Sequence, residues 1–233
     1  MTVGRKASRP MSRYGVRAVL LVVLLCVHSC VARRSPEPSR DTSGFLDDYS
    51  LLRKGEPGDV ALVYRNPKVD WTQYNSVLLE PTTLWRSGRN SLAPVPEDDL
   101  VRLVGTLENA VQRQLRQRFR FVDQPGPGVM RIRLAITEAR ATDPILDVLR
   151  GRSAPMSPPP PGPIDPELRR FLEDAAIEGE IRDAQTNELL AAGVDRRRRE
   201  GALPIDTWAD IDRAVDFWAD RVCGRLERRT RDG

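Results

Sequence analysis

From Val129 to Glu138 apolar and polar side chains alternate: Met130, Ile132, Leu134 and Ile136 fall on one side, Arg131, Arg133 and Thr137 on the other. A period of two predicts a half-buried strand with one wet face, as in antiparallel sheets covered on one side. Between Pro94 and Arg118 the period lengthens. Leu100, Leu103, Val104, Leu107, Val111 and Leu115 recur at three- and four-residue steps and predict a helix with one core-facing stripe. Glu97, Asp98 and Asp99 open that helix and Arg113, Arg116 and Arg118 close it, each matching the macrodipole. A second long helix is predicted from about Pro204 to Arg229, capped by Asp206 or Thr207. Its stripe is Ile211, Val215, Trp218, Val222 and Leu226, with Cys223 beside it as a small core residue.

Weaker patterns fill the intervals. Val60 to Tyr64 and Phe119 to Val122 read as short strands, and Ser76 to Leu84 as a buried one in which Pro81 marks an edge, a bulge or the end of pairing. Ile145 to Arg150 reads as one or two helical turns and Glu167 to Asp174 as a short helix. Ala176 to Asp183 and Glu188 to Arg196 form a hairpin around Ala184-Gln185-Thr186-Asn187, with Asn187 suited to positive φ. Pairing Asp183 with Glu188 sets Ile181 opposite Leu190, Gly179 opposite Ala192 and Ile177 opposite Val194, leaving Glu178, Glu180 and Arg182 on an open face. The elements predict an α+β fold, a mainly antiparallel sheet with two long helices on one face.

The first thirty residues follow a different plan. Arg5, Lys6, Arg9, Arg13 and Arg17 precede an apolar run, Ala18 to Val27, too short to span a bilayer and followed by Val27-His28-Ser29-Cys30. This is an export leader, and its cysteine points to a lipoprotein signal peptide, residues 1–29, with Cys30 as the lipidated residue; a plain signal or an uncleaved anchor is the alternative. Residues 30–42 are polar and proline-bearing and read as a flexible tether. Residues 43–233 form a single domain with a proline-rich excursion at about 153–166.

Charge then reads differently. The chain has 37 Lys and Arg against 33 Asp and Glu, and removing the leader's five cations leaves 32 against 33. A near-neutral mature chain lacks the basic field of a nucleic-acid binder. The one histidine, His28, lies in the leader, so the mature chain has no imidazole for Ser-His-Asp or Cys-His chemistry, nor the commonest zinc ligand. Cleavage before Cys30 removes Cys26 and leaves Cys223 without an intrachain disulfide partner. No cofactor or metal site is expected. Asp47-Asp48 reads as a solvated turn, and Asp123 to Gly128 lacks the lysine and following helix of a phosphate loop. Arg196 to Arg199 could meet lipid headgroups or acidic glycan, or be a solvated strand end.

Four phrases, SGFLDDYS, VDWTQYNSVLLEP, DQPGPGVMRIRLAIT and DAQTNELLAAGVDRR, resemble a bacterial lipoprotein family catalogued as domain of unknown function thirty-three thirteen. The resemblance implies a lipoprotein domain and no assigned activity. Val31, in place of the aspartate associated with inner-membrane retention, points to the outer membrane, with the domain facing the periplasm. The proline-rich segment departs from the family's more apolar middle. By fold-level analogy the arrangement is similar to small accessory lipoproteins such as the curli-secretion lipoprotein and activators of peptidoglycan synthases. The expectation is a non-enzymatic accessory or binding domain, held to the membrane by its lipid and meeting an envelope protein partner. The alternatives are small-molecule binding in a pocket between helix and sheet, and a glycan hydrolase. Two carboxylates about 5–9.5 Å apart would serve a hydrolase, drawn from Glu178, Glu180, Glu80 and Glu138.

Overall fold

The computed structural model describes residues 42–57, 59–87, 95–138, 144–147, 162–196 and 204–232. The leader, Cys30, the tether up to residue 41, the segment 153–161 and Arg197 to Arg199 lie outside the described residues. The strands are β1 (Arg53–Lys54), β2 (Leu62–Arg65), β3 (Ser76–Leu79), β4 (Thr83–Ser87), β5 (Arg120–Phe121), β6 (Val129–Glu138), β7 (Pro144–Asp147), β8 (Ala175–Asp183) and β9 (Leu189–Arg196). The helices are α1 (Glu97–Arg116), α2 (Pro166–Asp174) and α3 (Trp208–Asp232).

The α+β expectation holds, but the sheet is mixed. Antiparallel pairing runs from β6 through β8, β9 and β2 to β1, whereas β3 and β4 lie parallel to β6. The reason is α1, which carries the chain from β4 to β6 as a crossover that lets two strands run the same way. β3 and β4 form one interrupted strand along β6. Glu80 N–H still donates to Ile132 O; pairing breaks at Pro81-Thr82 and resumes when Thr83 meets Ala135, with the freed Thr82 N–H donated to the Glu108 carboxylate. Pro81, which has no N–H, sits in the gap.

Residues 144–147 are a strand, antiparallel to β4, and not the helical turn expected for Ile145 to Arg150. A short apolar run has no decisive period, and the open edge of β4 supplies the pairing that decides it. α2 forms as expected, with Asp165 capping the Glu167 N–H and Pro166 in the first turn. Gly162 to Asp165, the end of the proline-rich excursion, dock on the start of α3: Ile164 N–H donates to Asp206 O and Trp208 N–H to Gly162 O. Thr207 and Asp210 cap α3 reciprocally, the Thr207 N–H and hydroxyl donating to the Asp210 carboxylate and the Asp210 N–H to the Thr207 hydroxyl.

The hairpin departs from the predicted register. Its turn closes as expected, Asp183 N–H on Glu188 O at 2.9 Å, with Asn187 at φ 64°. A bulge then inserts Leu190, so Arg182 faces Leu189 but Ile181 faces Ala191, Gly179 faces Gly193 and Ile177 faces Asp195. Leu190 and Ala191 both pack toward the helices, and Ala192 and Val194 turn to the opposite side. One inserted residue swaps the faces of everything after it.

Each side of the sheet therefore has its own core. On one, the stripes of α1 and α3 meet Met130, Ile132, Leu134 and Ile136. Arg118 links the helices through Asp220 and Glu227, and Arg113 through Asp216. On the other, Phe45, Leu46 and Leu52 cover Ala135, Ala176, Ala192 and Val194. The face of β6 expected to be wet is buried at Ala135 and Thr137 and half-exposed only at Arg131 and Arg133. Among the described residues no helix is long and apolar enough to cross a membrane.

Candidate functional site

Two places concentrate chemistry, one on each side of the sheet. The first lies beneath residues 43–52, a strap that crosses the strands. Glu178 and Glu180 project there, 1 % and 2 % exposed, and not onto the open surface that the unbulged register implied. Each carboxylate has two donors. Glu178 accepts the Tyr49 hydroxyl at 2.5 Å and the Thr137 hydroxyl at 2.8 Å. Glu180 accepts Arg133 Nη1 at 2.6 Å and Arg182 Nη2 at 3.0 Å, and Arg182 also reaches Asp47 at the surface.

The strap is tied as tightly as it ties. Ser43 shares a hydrogen bond with the Tyr49 hydroxyl, which also accepts the Leu46 N–H, and Trp85 Nε1–H donates to Ser43 O. Phe45 meets the Trp85 ring edge-on at 5.4 Å. Burial, then the negative charge of Glu178, push the Tyr49 phenol up to about 12. The proton thus stays on the phenol, where it holds the glutamate.

Two neighbouring acids on one strand resemble a hydrolase pair in sequence alone. In the fold they are covered by the strap and occupied by four donors, two of them guanidinium groups. Glu80 lies apart, 3.5 Å from Arg131 Nε and from Arg133 Nε. Asp48 caps the turn at Tyr49–Leu51 through the Ser50 N–H, as expected of a solvated turn. Among the described residues no group of three or more Cys, His, Asp or Glu could hold a metal ion.

The second place is a cavity of about 150 Å³ between α3 and the sheet. Ile177, Gly179, Ala191 and Gly193 line its sheet side, and Trp71, Leu115, Trp218, Val222, Cys223 and Leu226 close over them. The bulge at Leu190 is what turns Ala191 and Gly193 toward the helices. Burial pushes the Cys223 thiol up to about 12, keeping it neutral.

The cavity's polar wall is strongly basic. Arg65, Arg225 and Arg229 stand around a single carboxylate, Asp59, whose side chain is 6 % exposed. Asp59 pairs with Arg65 Nη2 at 2.5 Å and with Arg225 Nη1. Burial raises its pKa and the two guanidiniums outweigh that, leaving it below the ordinary range. Arg229 has no ion pair among the described residues. Burial, with repulsion from Arg65 and Arg225, lowers its pKa. Sequence analysis missed this group because its members come from the loop before β2, from β2 and from the end of α3. The signal in the sequence is the arginine density of that helix end, Arg225, Arg228 and Arg229, which the macrodipole alone accounts for.

Residues 41–154 match the model of a family described as "Protein of unknown function (DUF3313)". This stretch belongs to that family. No curated protein and no solved structure matches the chain. Three of the four phrases that carried the resemblance fall inside the DUF3313 match, and DAQTNELLAAGVDRR lies beyond it. The matched stretch contributes the strap, α1 and strands β1 to β7, hence Tyr49, Thr137 and Arg133 of the first place and Asp59 and Arg65 of the second. Their partners on β8, β9 and α3 come from the unmatched half.

Proposed function

We propose that the protein is a lipoprotein, lipidated at Cys30 and held on the periplasmic face of the outer membrane, whose domain works by binding and not by catalysis. The observation that carries this reading is the contrast between the two places. The only neighbouring pair of buried acids among the described residues is sealed under the strap with every carboxylate oxygen engaged. A hydrolase needs one carboxyl poised to give a proton and another facing water or substrate. The cavity beneath α3 is instead apolar, with three guanidiniums around one carboxylate in its wall, which suits capture of a ligand or partner group.

The test has three arms. Palmitate label should enter the wild type and be absent from Cys30→Ala; label persisting in that variant ends the anchoring proposal. Crosslinking in intact envelope followed by capture should return the same partner in repeated preparations. Hydrolysis of cell-wall glycan that disappears in Glu178→Gln or Glu180→Gln would replace binding with catalysis.

A further inference from the structure

We propose that the cavity beneath α3 is a binding site for a small amphipathic anion: a carboxylate carrying an apolar group about the size of a benzene ring or a six-carbon chain. The proposal rests on the binding reading above and names the class of ligand. A dry cavity of about 150 Å³ lined by aliphatic and aromatic side chains admits benzene. The cavity here has that volume. A long acyl chain exceeds this cavity, so a lipid would have to extend into the larger cleft of about 1090 Å³ that shares Asp59, Val60, Ile177 and Trp218 with it.

Charge selects the head group. Three guanidiniums share one carboxylate in the wall, and Glu56 is the other acid that acts on Arg229 electrostatically. Arg65 and Arg225 each engage Asp59 through one terminal nitrogen, which leaves the rest of each donor fork free. Arg229 feels Asp59 and Glu56 at a distance but forms no ion pair among the described residues. A carboxylate at this wall completes an arrangement the chain leaves one anion short, and a guanidinium accepts it in bidentate geometry. A cationic head would meet three like charges. The apolar part then lies against Ile177, Gly179, Ala191 and Gly193, beneath Trp218 and Val222.

Cys223 is a reporter inside the site. It is buried in the cavity wall, so an alkylating reagent reaches it only when the cavity opens, and an occupant slows that reaction. The full-length chain in its membrane is treated with iodoacetamide, and Cys223 modification is read by peptide mass spectrometry, which separates it from Cys26 and Cys30. Phenylacetate and hexanoate should slow Cys223 alkylation about fivefold when present at about four times their Kd, the protection expected of a single site. Acetate, which has the head alone, and phenethylamine, which has the tail with the opposite charge, should leave the rate unchanged. Arg229→Gln should raise the phenylacetate concentration needed for half-protection about tenfold. Ala191→Leu, which fills the cavity, should abolish protection; the cavity-wall variant Arg229→Gln keeps the test decisive if Ala191→Leu does not fold. Equal protection by phenethylamine, or none by either carboxylate up to its solubility, overturns the proposal. Protection gained only by adding long-chain phospholipid overturns it in favour of a lipid site. If the carboxylates fail while crosslinking still captures a partner, the ligand class falls and the binding reading stands.

Discussion

The bond between Tyr49 and Glu178 gives the sharpest test of how the strap is held. Tyr49→Phe keeps the ring and removes one oxygen, which donates to a carboxylate 1 % exposed and accepts from the buried Leu46 N–H. A hydrogen bond to a charged group contributes about 1.5–3 kcal/mol, and orphaning a buried N–H costs about 1 kcal/mol more. The variant is therefore expected to lose about 3 kcal/mol, which for a domain of this size lowers Tm by about 6–12 °C. Urea unfolding followed by tryptophan fluorescence measures the loss directly. A cycle with Glu178→Gln isolates the pair, since the double variant should cost less than the sum of the singles by about 1–2 kcal/mol. The pH dependence has a definite sign. The phenol is raised from 10.0 to about 12 in the folded state, so its contribution is complete below pH 10 and disappears as pH climbs through about 12. The gap between wild type and Tyr49→Phe should narrow across that window. A variant within about 0.5 kcal/mol of wild type, or a cycle with no coupling, would refute the reasoning.

Three further outcomes are expected. Gly128 sits at φ +69°, where an added Cβ would lie 2.7 Å from Gln73 O, so Gly128→Ala should lower stability by about 2 kcal/mol, seen as a shifted urea midpoint with an unchanged slope. The Cys223 thiol, raised by burial to about 12, should resist a thiol-reactive disulfide at pH 8 in the native protein and react within seconds in urea; prompt native reaction would contradict the burial described. Burial raises the Asp183 pKa, but bonds from Thr186, Tyr74 and Gln185 outweigh it and leave the carboxyl below 3.8. Its contribution is thus present above 3.8 and lost as pH falls below it, and Asp183→Asn should flatten that part of an acid unfolding curve.

What could be read from the sequence was whatever depends on near neighbours. The stripes of α1 and α3, the alternation of β6, the cap at Thr207 and the positive φ at Asn187 are all decided within a few residues. What escaped depends on a distant partner. The hairpin turn was placed correctly, but nothing in Leu189-Leu190-Ala191 announces a bulge; either leucine satisfies an apolar face, and the helices above decide that Leu190 is the extra residue. That single shift hid both candidate places, because it puts Ala192 and Val194 beneath the strap and Ala191 and Gly193 beneath α3. The parallel pairing of β3 with β6 escaped for a related reason: hydrophobicity marks a strand as buried without stating the direction of its neighbour.

The strap also imposes an order of events on folding. Tyr49 precedes its partner Glu178 by 129 residues, so the first residues of the domain depend on a distant strand to be satisfied. Until β8 is laid against β6, Phe45, Leu46 and Leu52 have only part of their surface to cover, and two glutamates and two arginines remain hydrated. Closing that face joins distant parts of the chain, which is slow because loop entropy is lost before the contact is gained. Strap closure is then the step that marks the domain as complete.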